Sequence, residues 1–263
     1  MLAVLSIILY IILLVCAVIF LVPLKRVESF ISSPSSIKIS FYLINLKKNK
    51  TRLQLIQQQA KRENLTIFRF PAIYGKNVNE PELIRKGIIS NQHTLHKGEL
   101  GCALSHIQIM TNLYQSLTDD EYGVIFEDDV IIPNNFLAKL NKLLQQAPLR
   151  WDILYLGGCN IKGIQENPYF IRPTVNLPST NLCAHAYVVK KATIPKLLHY
   201  LTPLYRPIDS QWRNYFKDMD VFFANPNLVV QNKEIRSIRR DIDGLPQSKF
   251  WKQHQTDITI LSK

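Results

Sequence analysis

Three adjacent carboxylates interrupt an otherwise apolar stretch, and this feature constrains the fold more than any other. In GVIFEDDVIIP, residues 123–133, apolar residues stand on both sides of Glu127, Asp128 and Asp129. Neighbouring carboxylates repel one another, and burying an unpaired carboxylate is costly. The apolar residues predict a buried strand. The acids are therefore expected where that strand ends, within reach of a cation or of hydrogen-bond donors.

Strand patterns alternate with helical patterns along most of the chain. Apolar, β-rich runs occur at 39–46, 65–75, 122–132, 151–158 and 220–231, helical spacing occurs at 48–64, 97–117 and 134–147, and 181–201 is typical of a strand followed by a helix. This alternation predicts an α/β fold with helices on both faces of the sheet. In open α/β sheets, ligands bind beyond the carboxyl ends of the strands, where VIFEDD places its acids.

The acidic triplet favours a site for a divalent metal. Mg²⁺ and Mn²⁺ prefer carboxylate oxygens, and a bound cation both offsets carboxylate repulsion and stabilises a departing diphosphate. In an extended strand, Glu127 and Asp129 share one face, whereas Asp128 points to the other, toward a backbone donor or a ribose. The alternative is an acidic turn that precedes the helix at 134–147.

The amino terminus is strongly apolar. Residues 1–24 carry no charged side chain and are long enough to cross a bilayer, so they are predicted to be a transmembrane anchor, followed by a Ser-rich stem at 25–37. Two basic residues follow the anchor, and the charge rule would keep the rest of the chain in the cytoplasm. Sequons at Asn49 and Asn64 matter only in a lumen. The sequence thus predicts a single-pass membrane protein and leaves the side of the catalytic domain open.

The net charge bears on the binding partners, and the cysteines bear on disulfide bonds and zinc sites. The net charge of +12 suggests an anionic partner, such as nucleic acid, an anionic membrane or a phosphorylated small molecule. The sequence lacks a basic platform interleaved with aromatic residues, so nucleic acid is not expected. The four cysteines, none of them spaced like zinc ligands, are Cys16, Cys102, Cys159 and Cys183. A disulfide framework is not expected, although a single bridge stays open.

Seven segments carry a family resemblance. In chain order they are ISFYLINLKKNKTR, FPAIYGK, KGELGCALSHIQIM, VIFEDDV, NLCAHAYVVKKATIPKLL, RPIDSQW and NPNLVVQNKEIRSI. Together they run from Ile39 to Ile238 and are similar to glycosyltransferase family 25, the family of lipooligosaccharide and collagen galactosyltransferases. The resemblance implies a GT-A type fold over 38–243, a Rossmann-like mixed sheet flanked by helices. The tail, 244–263, resembles nothing in the family.

The resemblance also implies a cofactor, a reaction and residue roles. Mn²⁺, with Mg²⁺ as the other candidate, is expected to be bound by Asp129, Glu127 and Asp128, and Glu127 could instead contact the ribose. Transfer is expected to invert the anomeric carbon, which requires a base near the acceptor hydroxyl. Asp209 matches the family's P-x-D aspartate and is assigned as that base, and Glu127 is expected to be a second catalytic residue besides its metal role. The alternative role of Asp209 is to cap the helix that begins at SQWRNYF.

Further residues are expected to bind the sugar nucleotide. This donor-binding set consists of Asn45, Arg52, Glu99, Ser105, His106 and His185. Arg52 could pair with a phosphate in a bidentate manner, or could be an exposed helix arginine. A structural role is the alternative for both histidines, and Cys102 is expected to be a packing residue.

The predicted function is therefore metal-dependent transfer of a hexose. UDP-galactose is the expected donor, and the acceptor is a hydroxyl of a glycan, of a lipid-linked glycan such as lipooligosaccharide, or of a protein. One alternative is a catalytically inactive relative that binds sugar nucleotides or glycans. Another is a metal-dependent phosphodiesterase or nuclease, since acids on a basic protein also suit phosphodiesters.

Overall fold

The computed structural model describes residues 38–175 and 177–232, together with the backbone of 258–260. The predicted anchor, the stem and most of the tail lie outside these residues. Within the described ranges, no helix is long and apolar enough to cross a membrane.

A mixed nine-stranded sheet organises the described residues. The eleven strands are β1 (Lys38–Asn45), β2 (Ile67–Pro71), β3 (Glu121–Glu127), β4 (Val130–Ile131), β5 (Ile153–Cys159), β6 (Ile161–Asn167), β7 (Phe170–Pro173), β8 (Leu182–Lys190), β9 (Val221–Ala224), β10 (Val230–Gln231) and β11 (Ile258–Ile260). Their order in the large sheet is β11-β6-β7-β9-β5-β8-β3-β1-β2, and β4 and β10 form a separate two-stranded sheet. Strands β1, β2 and β3 run parallel, whereas β8 is antiparallel to both β3 and β5.

Helices cover both faces of this sheet. They are α1 (Lys50–Arg62), α2 (Glu80–Arg85), α3 (Lys97–Ser116), α4 (Phe136–Gln145), α5 (Ile194–His199) and α6 (Ile208–Arg213). One apolar core contains residues of α1 and α4, and the other contains residues of α3, α5 and α6. The predicted α/β architecture with helices on both faces is confirmed.

The pleat of β3 divides its side chains between these two cores. Val124 and Phe126 lie in the core with α1 and α4, whereas Ile125 lies in the core with α3. Successive side chains of a strand point to opposite faces. The same alternation directs Glu127, the last residue of β3, toward α3, and the following residue, Asp128, toward α1.

Parts of the fold were absent from the sequence prediction. The hairpin of β6 and β7 was not predicted, because GIQENPYFIRP mixes polar and apolar residues without clear alternation. Tail residues 258–260, which matched nothing in sequence, form β11 and pair in parallel with β6 at the edge of the sheet. A disulfide joins Cys159, the last residue of β5, to Cys183 in β8. It is the single bridge that the sequence left open.

Candidate functional site

Asp128 is held by two side chains from the β1–α1 connection. Asn45, the last residue of β1, donates from Nδ2 to Asp128 Oδ2 over 2.7 Å. Arg52, in the first turn of α1, donates from a guanidinium nitrogen to Asp128 Oδ1 over 2.5 Å. All three side chains are buried. Asp128 therefore points away from Glu127, as the strand pleat requires, and its partners are side chains rather than the expected backbone donor or ribose.

Arg52 supplies the positive charge that makes the acidic triplet tolerable. The same guanidinium nitrogen lies 3.6 Å from Asp129 Oδ2, so one cation faces two of the three carboxylates. A second arginine, Arg69 on β2, supports the arrangement by donating to Asn45 Oδ1 over 2.9 Å. The predicted contact of Arg52 with a phosphate stays a prediction. The alternative of an exposed helix arginine is wrong, since Arg52 is 8% exposed.

Glu127 faces helix α3, where His106 and Cys102 meet it. His106 Nε2 lies 3.1 Å from Glu127 Oε1, and Cys102 Sγ lies 3.5 Å from the same oxygen. His106 Nδ1 lies 2.8 Å from the hydroxyl of Tyr187 on β8. An ionised carboxylate only accepts hydrogen bonds, so Nε2 carries the proton and donates to Glu127. In the neutral imidazole, Nδ1 then accepts from Tyr187, whose pKa burial raises well above its usual value.

Asp129 is the member of the triplet whose ionised form is disfavoured by its surroundings. Burial, and then the nearby charge of Glu127, raise the pKa of its carboxyl to about 7, although Arg52 acts in the opposite direction. Among the described residues, Asp129 Oδ1 is a buried oxygen without a hydrogen-bond partner. A buried carboxylate oxygen normally has such a partner, so this oxygen requires an explanation.

A divalent cation fits this oxygen. Hard cations such as Mn²⁺ and Mg²⁺ bind carboxylate oxygens, and a cation would both pair with Asp129 Oδ1 and reduce its repulsion from Glu127. Asp128 fits a metal less well, because hydrogen bonds from Asn45 and Arg52 already reach both of its oxygens. The metal roles of all three acids stay predictions, and the geometry favours Asp129 and Glu127.

Asp209 lies in the first turn of α6 and bonds to the start of β8. Its Oδ2 accepts from the backbone N–H of Cys183 over 2.9 Å, and its Oδ1 lies 2.7 Å from the backbone nitrogen of Ser210. The cap position itself belongs to Pro207. Burial, and then the charge of Asp209, raise the pKa of the nearby Tyr155 well above its usual value. Asp209 thus joins two elements, and each of its oxygens keeps lone pairs for a further donor.

His185 lies beside the acids. Because Phe126 opposes Ala186 in the antiparallel pair, the preceding residue on β8, His185, is a neighbour of Glu127. Its Nε2 lies 3.2 Å from the carbonyl oxygen of Val229, so this nitrogen donates, and burial lowers the pKa of the imidazole. His185 Nδ1 is buried and has no hydrogen-bond partner in the part of the chain that the structure describes.

Ser105 and Glu99 have structural partners. The hydroxyl of Ser105 donates to the carbonyl of Gly101 over 2.6 Å and accepts from the N–H of Ile73 over 2.8 Å. Glu99 accepts from the backbone N–H of His96 over 3.2 Å and so caps the start of α3. These contacts give Ser105 and Glu99 structural roles that need no ligand. Their roles in donor binding stay predictions.

Comparison with known proteins decides the family. Residues 38–212 match the family described as Glycosyltransferase family 25 (LPS biosynthesis protein). The chain belongs to glycosyltransferase family 25. The match covers every site residue considered so far except Val229, from Asn45 on β1 to Asp209 on α6. The resemblance seen in the sequence is confirmed.

Relatives of this family are similar to part of the chain. Procollagen galactosyltransferase 1-A of Xenopus laevis is 29% identical over 51% of this chain and 24% of the relative. Inactive glycosyltransferase 25 family member 3 of Mus musculus is 32% identical over 52% of this chain and 26% of the relative. Procollagen galactosyltransferase 2 of Homo sapiens is 24% identical over 72% of this chain and 34% of the relative. The chain thus spans about a quarter to a third of the length of these curated relatives.

A solved structure is also similar. It is described as a glycosyltransferase involved in the glycosylation of the major capsid of PBCV-1, and it superposes with a TM-score of 0.45 at 9% identity, over 79% of this chain and 97% of the other.

Two residues of this family 25 site, Tyr187 and Gln231, were not predicted from the sequence. Tyr187 follows His185 by two residues in NLCAHAY and faces the same side of β8, so the strand period could have indicated it. Gln231 lies outside the family match. A hydrogen bond from the Gln231 side chain acts to lower the pKa of Asp129. The contact of Gln231 with Asp129 depends on the pairing of β10 with β4, which no local pattern indicates.

Proposed function

We propose that this chain is a metal-dependent, inverting glycosyltransferase of GT-A type that transfers a hexose from a UDP-sugar. Galactose is the first-choice sugar, because two of the relatives are named procollagen galactosyltransferases. The proposed acceptor is a hydroxyl of a glycan, a lipid-linked glycan or a protein. The observation that carries the proposal is the buried, unpartnered Asp129 Oδ1 next to Glu127 at the carboxyl ends of β1 and β3.

The acidic residues have distinct parts in this proposal. Asp129 and Glu127 would hold the metal, and Mn²⁺ when bound supplies positive charge against the charge that develops on the departing diphosphate. Asp128 orients the β1–α1 connection through Asn45 and Arg52. Arg52 lowers the repulsion among the acids before any metal is present, because it lies close to both Asp128 and Asp129.

Asp209 is proposed to take the proton from the acceptor hydroxyl. Both of its oxygens are near backbone nitrogens, at the start of β8 and in α6, so the carboxylate is held in a fixed orientation. A general base must be positioned within hydrogen-bond reach of the proton that it removes. His106 contributes indirectly, because its Nε2–H orients Glu127 while Tyr187 determines the tautomer of its ring.

The experiment is UDP release from a panel of UDP-sugars by the full-length chain, with Mn²⁺ and then with EDTA. We expect release from one UDP-hexose that EDTA abolishes and added Mn²⁺ restores. Asp129→Ala should lower the rate by about 100-fold or more, because the charge on the diphosphate is then left without its metal. Asp119→Ala is the matched control, since Asp119 is an exposed acid just before β3.

Two results would contradict the proposal. Full activity of Asp129→Ala would exclude Asp129 as a metal ligand, and release that is insensitive to EDTA would exclude metal dependence. The relative from Mus musculus is named as inactive, so Mn²⁺-dependent binding of a UDP-sugar without any release would favour the non-catalytic alternative. Membership of a glycosyltransferase family favours both of these functions over the phosphodiesterase alternative.

A further inference from the structure

A continuous set of contacts links Asp129 to Asp209 through the disulfide. Gln231 on β10 is paired with Val130, which places its side chain beside Asp129. The Gln231 side chain is hydrogen-bonded to Asp129, and because a carboxylate only accepts, the amide nitrogen of Gln231 is the donor. The other end of the amide, Oε1, lies 3.8 Å from the sulfur of Cys159 and 3.8 Å from the sulfur of Cys183.

The contact of Gln231 with the sulfurs is packing rather than hydrogen bonding. A sulfur in a disulfide carries no proton, so neither Cys159 nor Cys183 can donate to the amide oxygen. The bridge instead forms a fixed wall against which the amide of Gln231 rests. Its nitrogen is thereby directed toward Asp129.

The disulfide also fixes the backbone that binds Asp209. Cys183 has a φ of 74°, a left-handed conformation that is uncommon for a residue other than glycine and persists only where the surroundings impose it. In this conformation the N–H of Cys183 points at Asp209 Oδ2, 2.9 Å away. The other end of the bridge, Cys159, is fully buried at the end of β5.

We propose that the Cys159–Cys183 disulfide is a positioning element of the active site, which holds Asp209 directly and Asp129 through Gln231. The inference rests on the proposed function and deepens it, because it makes transfer depend on the redox state of one bridge. A dithiol reductant would break the S–S bond, both sulfurs would gain a proton, and the reductant would become a cyclic disulfide. Cys183 is then free to leave its left-handed conformation, and its N–H turns away from Asp209.

The test compares four preparations of the full-length chain. They are the oxidised protein, the protein treated with dithiothreitol, Cys159→Ala/Cys183→Ala, and Gln231→Met. Free thiols are counted by mass spectrometry after alkylation. UDP release is measured with the UDP-hexose that the oxidised protein uses, and the affinity for that donor is measured by calorimetry with Mn²⁺ present.

We expect a loss of rate without a loss of donor binding. Reduction and the double substitution should each lower UDP release by about tenfold or more, because the base is no longer oriented. At saturating Mn²⁺ the donor Kd should stay within about twofold, because saturation offsets a weaker metal site and Asn45 and Arg52 lie on the other side of the acids. Dithiothreitol should have no further effect on the double variant, which keeps Cys102 and so controls for other thiols.

Other outcomes would overturn the inference. One is an unchanged rate in the fully reduced protein and in the double variant. Another is a parallel loss of rate and of donor affinity at saturating Mn²⁺, which would make the bridge merely structural. If the double variant does not fold, Gln231→Met decides, since it fills the same space without an amide donor and should still lower the rate several-fold. If the oxidised protein releases no UDP from any UDP-sugar, the proposed function fails and the inference falls with it.

Discussion

Asp128 and Asp129, adjacent acids at the end of β3, differ in whether their carboxylate oxygens have hydrogen-bond partners. Asp128 has a cation and an amide as hydrogen-bond donors, whereas Asp129 has an oxygen without a partner among the described residues. The position of this triplet at a strand end was predicted correctly, because an apolar run indicates a buried strand and three adjacent acids are too costly to bury within it. It could not separate the roles of the acids, since that separation depends on side chains from α1 and β10.

This difference predicts stability changes of opposite sign. The pKa of Asp129 is raised to about 7, so its ionisation opposes folding: stability is highest below the unfolded pKa, near 4, and falls as pH rises through about 7. Asp129→Asn should therefore stabilise the metal-free protein by about 2–4 kcal/mol at pH 8 and change little at pH 4. Urea denaturation at both pH values measures this.

Asp128→Asn is the matched control at the adjacent position. Removing this charge leaves Arg52 as a buried cation without its main partner, so the variant should be destabilised by about 3–5 kcal/mol. Destabilisation of both variants at pH 8 would show that the charge of Asp129 is compensated in the folded protein. The proposed metal role would then lose its electrostatic basis.

At the scale of elements, the residue before β10 approaches β5 closely at a glycine. A Cβ on Gly157 would lie 1.8 Å from the carbonyl oxygen of Val229 and 2.6 Å from His185 Nε2. The first of these is a backbone atom and cannot rotate away. The sequence showed Gly157 only as the end of a strand, because the segment that requires the close approach is about 70 residues away.

Gly157→Ala should displace the segment that carries Gln231. We expect a loss of stability of about 3 kcal/mol, the upper end of the usual range for overpacked sites, because the clash is with a backbone atom, together with reduced UDP release. Gly87→Ala is the control, because Gly87 has nothing within 4 Å of its Cβ position and a φ of 68°, so only backbone strain of about 1–2 kcal/mol applies. Thermal denaturation compares the two, and equal losses would show that the clash with Val229 is relieved elsewhere.

At the scale of the molecule, local patterns predicted the strands and helices that have clear periodicity. The positions of β1, α1, α3, β3 and α4 agree with the predicted segments to within a few residues. The sheet order, the β6–β7 hairpin and β11 were beyond such reasoning, because they depend on pairings between distant segments. Likewise, four cysteines at irregular spacing gave no connectivity until β5 and β8 were placed side by side.

The bridge also affects the stability of the whole domain. Cys159 and Cys183 are separated by 24 positions, and closing a loop of this length in the unfolded chain corresponds to about 3 kcal/mol. Cys159→Ala/Cys183→Ala should lower the free energy of unfolding by that amount in urea titrations. Equal unfolding midpoints for the oxidised protein and the double variant would show that the bridge does not restrict the unfolded chain.

The Cys159–Cys183 bridge bears on the orientation that the sequence left undecided. Cytosolic glutathione and thioredoxin keep protein thiols reduced, whereas secretory lumens, the periplasm and the cell exterior allow disulfides to persist. We therefore propose that the site arranged around this bond matures in an oxidising compartment. Of the two orientations, this proposal supports the luminal one over the cytoplasmic one indicated by the basic residues after the predicted anchor, and it predicts that activity depends on the compartment.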